Sequence, residues 1–265
     1  MPASLTDLLE HTNRLVPMPN VVRELLASLN DEDADLHLLA RKIARDQIIA
    51  ARVLRLANSP HYGNQRQIAS IDEAVVILGF HTLRTLVIAA GITGAFTPQG
   101  FDRVRFWRHS FEVAILARGL ARQTGLGADL AFTCGLMHNL GELCVQTFSP
   151  ETAEMLRRGG AELGFDFPQV GVALARQWHF PDQLAEAIGQ QTAPTQGEPP
   201  SPLAAVLWLA QHISTSFAAE EDDETIAAAL PPPLLALAGL DTTPLDELLK
   251  LLRVPEQNYA ELMAT

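Results

Sequence analysis

His109 and His138 are the two side chains of this sequence best placed to do chemistry. Each falls in a long apolar stretch with helical spacing, and the two stretches are consecutive. Imidazoles projecting from neighbouring helices are a natural beginning for a metal site. A hydrolytic metal ion also wants carboxylate oxygens. The residue after His138 is a neutral amide, Asn139, within Met137-His138-Asn139-Leu140-Gly141. Glu142 stands four residues after His138, on the same helical face, so the pair reads either as metal ligands or as a local polar contact. The remaining histidines, His11, His37, His61, His81, His179 and His212, are scattered without partners at ligand spacing and read as surface or satisfied core residues. Cys134 and Cys144 lack metal-knuckle spacing and sit in apolar surroundings, which predicts buried free thiols. A phosphate-binding Gly-x-x-x-x-Gly-Lys, a Gly-x-Ser-x-Gly elbow and a dinucleotide fingerprint are all absent.

The elements that must carry these residues are helices. Val21, Val22, Leu25, Leu26 and Leu29 form one apolar stripe at three- and four-residue intervals. Leu36, Leu39, Ala40 and Ile43 form a second, and Ile48, Ala51, Leu54 and Ala57 a third. Asn58-Ser59-Pro60 ends the third stripe, because proline disfavours helical geometry at the residue before it. Ser70-Ile71-Asp72-Glu73 has the capping-box pattern and predicts a helix start, with a break at Gly79 and a further helix over about 81–95. Pro98 and Gly100 mark a junction. Beyond it the spacing predicts long helices over about 105–123 and 128–147, then shorter ones over 150–158, 168–177 and 182–190. A loop is expected from Pro194 to Pro202, followed by a helix over about 203–217. The acidic run Glu220–Glu224 reads as a solvated turn or helix start, and Pro231-Pro232-Pro233 as a breaker. Thr243-Pro244 reads as an N-cap followed by a first-turn proline. The fold class is all-α, in three parts: residues 1–100, 101–218 and a helical extension 219–265.

Composition narrows the functions. The chain has 265 residues, 48% hydrophobic, and a formal charge of −12. That is room for a sizeable core, and an acidic balance that argues against nonspecific nucleic-acid or membrane-surface binding. The tempting apolar stretch Leu86–Phe96 is too short to span a bilayer, and Met1–His11 lacks the features of a signal peptide. A soluble, cytoplasmic protein is the expectation.

Three groups of residues, in order, carry a family resemblance. They are Leu54-Arg55-Leu56-Ala57-Asn58-Ser59 with Tyr62-Gly63; Ile68-Ala69-Ser70-Ile71 with Ala74-Val75-Val76-Ile77-Leu78-Gly79; and Trp107-Arg108-His109-Ser110 with Gly135-Leu136-Met137-His138-Asn139-Leu140-Gly141. Together they resemble the HDOD family, the HD-related output domains of bacterial signalling proteins, over about 15–214. The resemblance implies a two-part helical fold whose second part is like the HD phosphohydrolases. In that wider superfamily a histidine, a His-Asp pair and a distant aspartate hold metal ions that activate water against a phosphoester. His109 then matches the first histidine and His138 the second. Asn139 stands where the aspartate belongs, Gln211 where the final aspartate belongs, and Gln191 where the family often has histidine.

Two imidazoles and several amides make a poor hydrolytic site, because the anionic oxygens that grip a hard cation are gone. The expectation is a degenerate site with no metal, no cofactor and no phosphohydrolase activity. His109 and His138 are expected to hydrogen-bond Asn139 or Gln211 and tie helices together. The implied role is a signalling module that binds a partner such as a response regulator, a kinase or a cyclic-dinucleotide enzyme. Two alternatives stand beside it: a sensor that binds a nucleotide in the vacated pocket without cleaving it, and a cryptic metal-dependent hydrolase using His109, His138 and Glu142. Two arginine groups, Arg41/Arg45/Arg52/Arg55 and Arg103/Arg105/Arg108, match phosphate chemistry but read more simply as solvated faces. Asn58, Ser59, His61 and Tyr62 form a candidate interaction loop, or else a structural corner.

Overall fold

Ser4 and Asp7 start the first helix by capping each other. The Ser4 hydroxyl accepts from the Asp7 amide at 3.2 Å, and the Asp7 carboxylate accepts from the Ser4 amide at 3.1 Å. The computed structural model describes residues 4–15, 36–45, 47–58, 68–77, 79, 83, 87, 96, 98, 100–159, 163–178, 180–197, 199–241 and 243–253. The first apolar stripe, the loop residues Ser59, His61 and Tyr62, and most of the 81–95 segment lie outside them.

Helix α1 (Leu5–Leu15) is followed by α2 (Leu36–Arg45) and α3 (Gln47–Ala57), which pack on each other; α3 buries Ile49 and Val53 with Ala57 rather than the expected third stripe, since Ala51 is exposed and Leu54 half-buried. Ala40, Ile43, Ile49, Val53 and Ala57 supply their buried face. Asn58 ends α3 with a side-chain clip. Its Oδ1 accepts from the Ile68 amide at 2.6 Å, and its Nδ2 donates to the Ile68 and Leu54 carbonyls at 2.8 Å each. The amide thereby closes the base of the 59–67 segment. Ser70 caps the helix at 71–77 as expected, its hydroxyl accepting from the Glu73 amide at 3.1 Å. The Glu73 carboxylate reaches back one residue further than a capping box requires, to the Ala69 amide at 3.0 Å.

The second part opens with α4 (Arg103–Ala121), N-capped by Asp102. Then come α5 (Ala128–Met137), α6 (Leu140–Phe148), α7 (Pro150–Arg157), α8 (Phe167–Gln177) and α9 (Asp182–Gln190). A single 3₁₀ turn, Pro194–Gln196, interrupts the stretch read as loop, and Pro202 already belongs to α10 (Pro202–Ala218). The extension holds α11 (Asp223–Ala229), α12 (Pro232–Ala238) and α13 (Leu245–Leu252). Pro232 and Pro233 open a helix rather than merely breaking one, since the first turn has no use for the amides they lack. Pro244, not Thr243, takes the cap of α13, and the Thr243 amide closes a turn onto the Leu240 carbonyl at 3.1 Å.

Among the described residues there is no strand, and the architecture is all-α. The continuous helix expected over 128–147 is two helices, broken at His138 and Asn139. Helices α4, α5, α9 and α10 pack together around that break, α8 covers α6, and α1 lies against both α6 and α8. α12 packs on α10, and α13 on α4 and α11. Gly135 lets α5 cross α4 closely: a Cβ there would sit 2.5 Å from the Ala114 Cα and 2.7 Å from its amide nitrogen. Both cysteines are buried and free, and burial pushes the Cys134 thiol up. No helix among the described residues is long and apolar enough to cross a membrane.

Candidate functional site

The close crossing of α4 and α5 brings the two histidines together. Their ring centroids are 5.5 Å apart with planes at 74°, edge to face. His138 sits at the C-cap of α5, where its Nδ1 lies 2.6 Å from the Gly135 carbonyl. A carbonyl only accepts, which fixes the proton on Nδ1 and leaves Nε2 bare. Burial, and then the neighbouring His109, push His138 down to about 3, against the opposing effect of the Gly135 bond. His109 is also held below its ordinary value, first by burial. Glu142 opposes that shift and Arg105 adds to it. Both rings are therefore neutral at physiological pH.

A side chain caps the break after α5. Gln191, at the C-cap of α9 and 5% exposed, donates through Nε2 to the His138 carbonyl at 2.9 Å and to the Ile188 carbonyl at 2.9 Å. The His138 carbonyl is the one an unbroken helix would offer to the amide four residues on. Gln191 occupies it instead. Its own Oε1 accepts from Gln211 Nε2 of α10 at 3.2 Å. Asn139 faces α4, where its Oδ1 accepts from the Ser110 hydroxyl at 3.1 Å.

Neither histidine bonds Asn139 or Gln211, so that expectation is corrected. His138 turns to Gly135, and His109 turns to Ser214 on α10, with Nδ1 3.4 Å from the hydroxyl oxygen. Ser214 in turn donates to Glu112 Oε2 at 3.3 Å. Asn139 pairs with the Ser110 hydroxyl, and Gln211 with Gln191 and the Leu207 carbonyl. Glu142 is close enough for its charge to act on His109, yet its carboxylate is gripped by Arg157 of α7 at 2.9 Å. Arg157 also donates to Gln146 at 2.7 Å.

The structure thus collects His109, His138, Asn139, Gln191 and Gln211 where α4, α5, α9 and α10 meet, with Glu142 at the margin. Ser110, Glu112, Ser214 and Gly135 belong to the same cluster and were not singled out from sequence. Helical spacing could have found two of them: Glu112 follows His109 by three residues and Ser214 follows Gln211 by three. Asn58 serves the clip described above, away from this cluster. Arg41, Arg45, Arg55, Arg105 and Arg108 are exposed, which fits solvated faces.

A catalytic metal does not fit these donors. Among the described residues no group of three or more His, Cys, Asp or Glu is arranged to hold an ion. The Asn139 and Gln191 oxygens each accept one hydrogen bond, the Glu142 carboxylate is paired with Arg157, and the Glu112 carboxylate accepts from Ser214.

The comparisons with known proteins agree on the frame. A crystal structure from Shewanella amazonensis SB2B, of a protein provisionally named a phosphohydrolase, superposes with a TM-score of 0.78 at 34% identity, covering 97% of this chain and 96% of that one. A Geobacter sulfurreducens HDOD domain protein of unknown function gives 0.76 at 22% identity, covering 98% and 96%. A Marinobacter aquaeolei VT8 protein, provisionally named for signal transduction, gives 0.79 at 24% identity, covering 97% of this chain and 61% of that one. An uncharacterised Treponema pallidum (strain Nichols) protein is 26% identical over 200 residues, which is 70% of this chain but only 38% of that protein. The HDOD domain model matches residues 15–194, about two thirds of the sequence, and with the helical frame around His109 and His138 this places the chain in the HDOD domain family.

Proposed function

We propose that the chain is a non-enzymatic signal-transduction module that works by binding another protein, on an HD-like frame whose pocket has lost its hydrolytic chemistry. The observation that carries the reading is the Gln191–Gln211 amide pair. It ties α9 and α10 to the carbonyl of His138, where a hydrolase would need anionic oxygens beside its histidines. The Glu142–Arg157 ion pair supports it, because the carboxylate whose charge acts on His109 is already engaged by a guanidinium. Neutral imidazoles alone are compatible with a metal; it is the missing negative charge that argues against a hydrolytic one.

The phosphohydrolase name of the 34% identical Shewanella protein favours the opposite reading, so the test must be direct. Pure protein is incubated with manganese or magnesium and a panel of phosphomonoesters and cyclic dinucleotides. No turnover above the buffer control is expected. Metal-dependent turnover that disappears in His138→Ala would overturn the proposal. On the positive side, capture with the intact chain is expected to retain a response regulator, a kinase or a cyclic-dinucleotide enzyme as its specific partner.

A further inference from the structure

The geometry points to α13 with Arg253 being a strap that braces the C-terminal halves of α4 and α10 and so holds the His109–Ser214–Glu112 contact closed. This goes beyond the functional proposal, since it applies whether the pocket binds, cleaves or does neither. The extension that carries the brace lies beyond the family match, which ends at residue 194.

Two consecutive residues make the brace. Leu252 lies in the notch left by Gly119 of α4, where any Cβ would collide with the leucine Cδ2. Arg253 lays its guanidinium over the Phe217 ring of α10, 4.3 Å from the centroid. The same guanidinium pairs with Asp223 at 2.6 Å and donates to the Glu221 carbonyl. Gly119 lies two helical turns beyond Glu112, and Phe217 one turn beyond Ser214. Both anchor points therefore lie to the C-terminal side of the Ser214 contact, where they resist splaying of the two helices.

The contact they protect responds to small movements. Its hydrogen bonds, 3.4 and 3.3 Å, stand at the long end of the range, and a widening of roughly 0.3 Å breaks them. The strap itself is built to lift. A helix of 8 residues does not support itself in water, so its order depends on docking. Its buried anchors are Leu248, Leu249 and Leu252, while Leu251 on the other face is 76% exposed. Arg253 is itself 37% exposed, which makes its ion pair accessible to competing charge.

The test uses the full chain with Arg253→Glu, Leu252→Asp and, as control on the open face, Leu251→Ser. Amide hydrogen exchange follows the strap, and the ring resonances of His109, read by NMR at one fixed pH, follow the contact. Circular dichroism confirms that the other helices persist. Either of the first two variants is expected to accelerate exchange over 245–252 by about tenfold or more and to shift the His109 ring resonances. Ser214→Ala should shift those resonances while leaving the strap protected. Fast exchange with unmoved His109 resonances would reduce α13 to a stabilising appendage and overturn the inference. So would full protection in both strap variants, or an equal response in Leu251→Ser.

Discussion

A neutral imidazole held inside the protein ties stability to pH in one direction. The His138 ring is kept down at about 3 by burial, whereas in the unfolded chain it titrates near ~6.5. Between those values the unfolded chain carries a proton that the folded one refuses. The ring's contribution is therefore intact above about pH 6.5 and is lost as pH falls towards 3, at up to ~1.4 kcal/mol per unit. His109, also shifted down, adds a slope of the same sign. In urea titrations across that range, His138→Gln should fall less steeply with acid than the parent, even if it starts lower. Equal slopes would mean that the carboxylates set the acid limb. Gln191 is the second residue whose chemistry is now specific. Its side chain satisfies two carbonyls and one amide, and Gln191→Leu keeps the bulk but orphans the His138 carbonyl. A loss of about 1–3 kcal/mol is expected, read from urea unfolding at neutral pH. From sequence Gln191 was visible only as a ligand that is missing. Its positive role was hidden because the carbonyl it holds lies 53 residues away in the chain.

Periodicity found most of the helices, because apolar stripes and caps such as Ser70 act within one or two turns. The boundary it missed, between α5 and α6, carries one local mark: Asn139, the N-cap of α6, with Glu142 three residues on. Met137-His138-Asn139-Leu140 contains neither proline nor a glycine stop, and the apolar spacing on either side outweighs the asparagine. At the break the Gln191 amide of α9 caps the His138 carbonyl, a tertiary contact that no window of sequence contains. Gly135 is a similar case. Within an apolar helix it reads as a tolerated weakness, yet it marks the place where α5 meets the backbone of α4. Gly135→Ala improves helix propensity and should still destabilise the protein. The added methyl meets Ala114 backbone, which cannot swing away as a side chain would, and α5 must retreat. The expected cost is about 1–3 kcal/mol of unfolding free energy, with the His109–His138 ring contact loosened. A neutral or stabilising outcome in thermal unfolding would show that the two helices have slack at the crossing. Ser110, Glu112 and Ser214 sit between these extremes. Their helical faces were legible, but which neighbour each face would meet was not.

At the scale of the whole molecule, the extension poses an electrostatic problem that its packing has to answer. Residues 219–265 hold ten acidic residues and two basic ones, a net −8 out of the chain's −12. Such a segment repels itself and, on charge alone, would favour solvent over a docked arrangement. Apolar burial outweighs this: Ile226, Leu230, Leu234, Leu235, Leu240, Leu248, Leu249 and Leu252 are all buried. At roughly 1.5–3 kcal/mol for each fully buried aliphatic side chain, the gross gain exceeds what screened surface repulsion can cost. The same arithmetic says what the extension leaves behind when removed. α12 packs on α10 and α13 on α4, with Leu252 filling the Gly119 notch. A chain ending at Ala218 keeps every residue matched by the HDOD model, so a view based on the family boundary alone expects it to fold normally. The packing predicts otherwise. That shortened chain should unfold at a temperature several degrees lower, at least ~4 °C, bind a hydrophobic dye and associate at micromolar concentration, despite carrying less acidic charge. Light scattering and thermal unfolding beside the full chain check this. A monomer with the parent's unfolding temperature would show that the body of the fold closes over α4 and α10 without the extension's help.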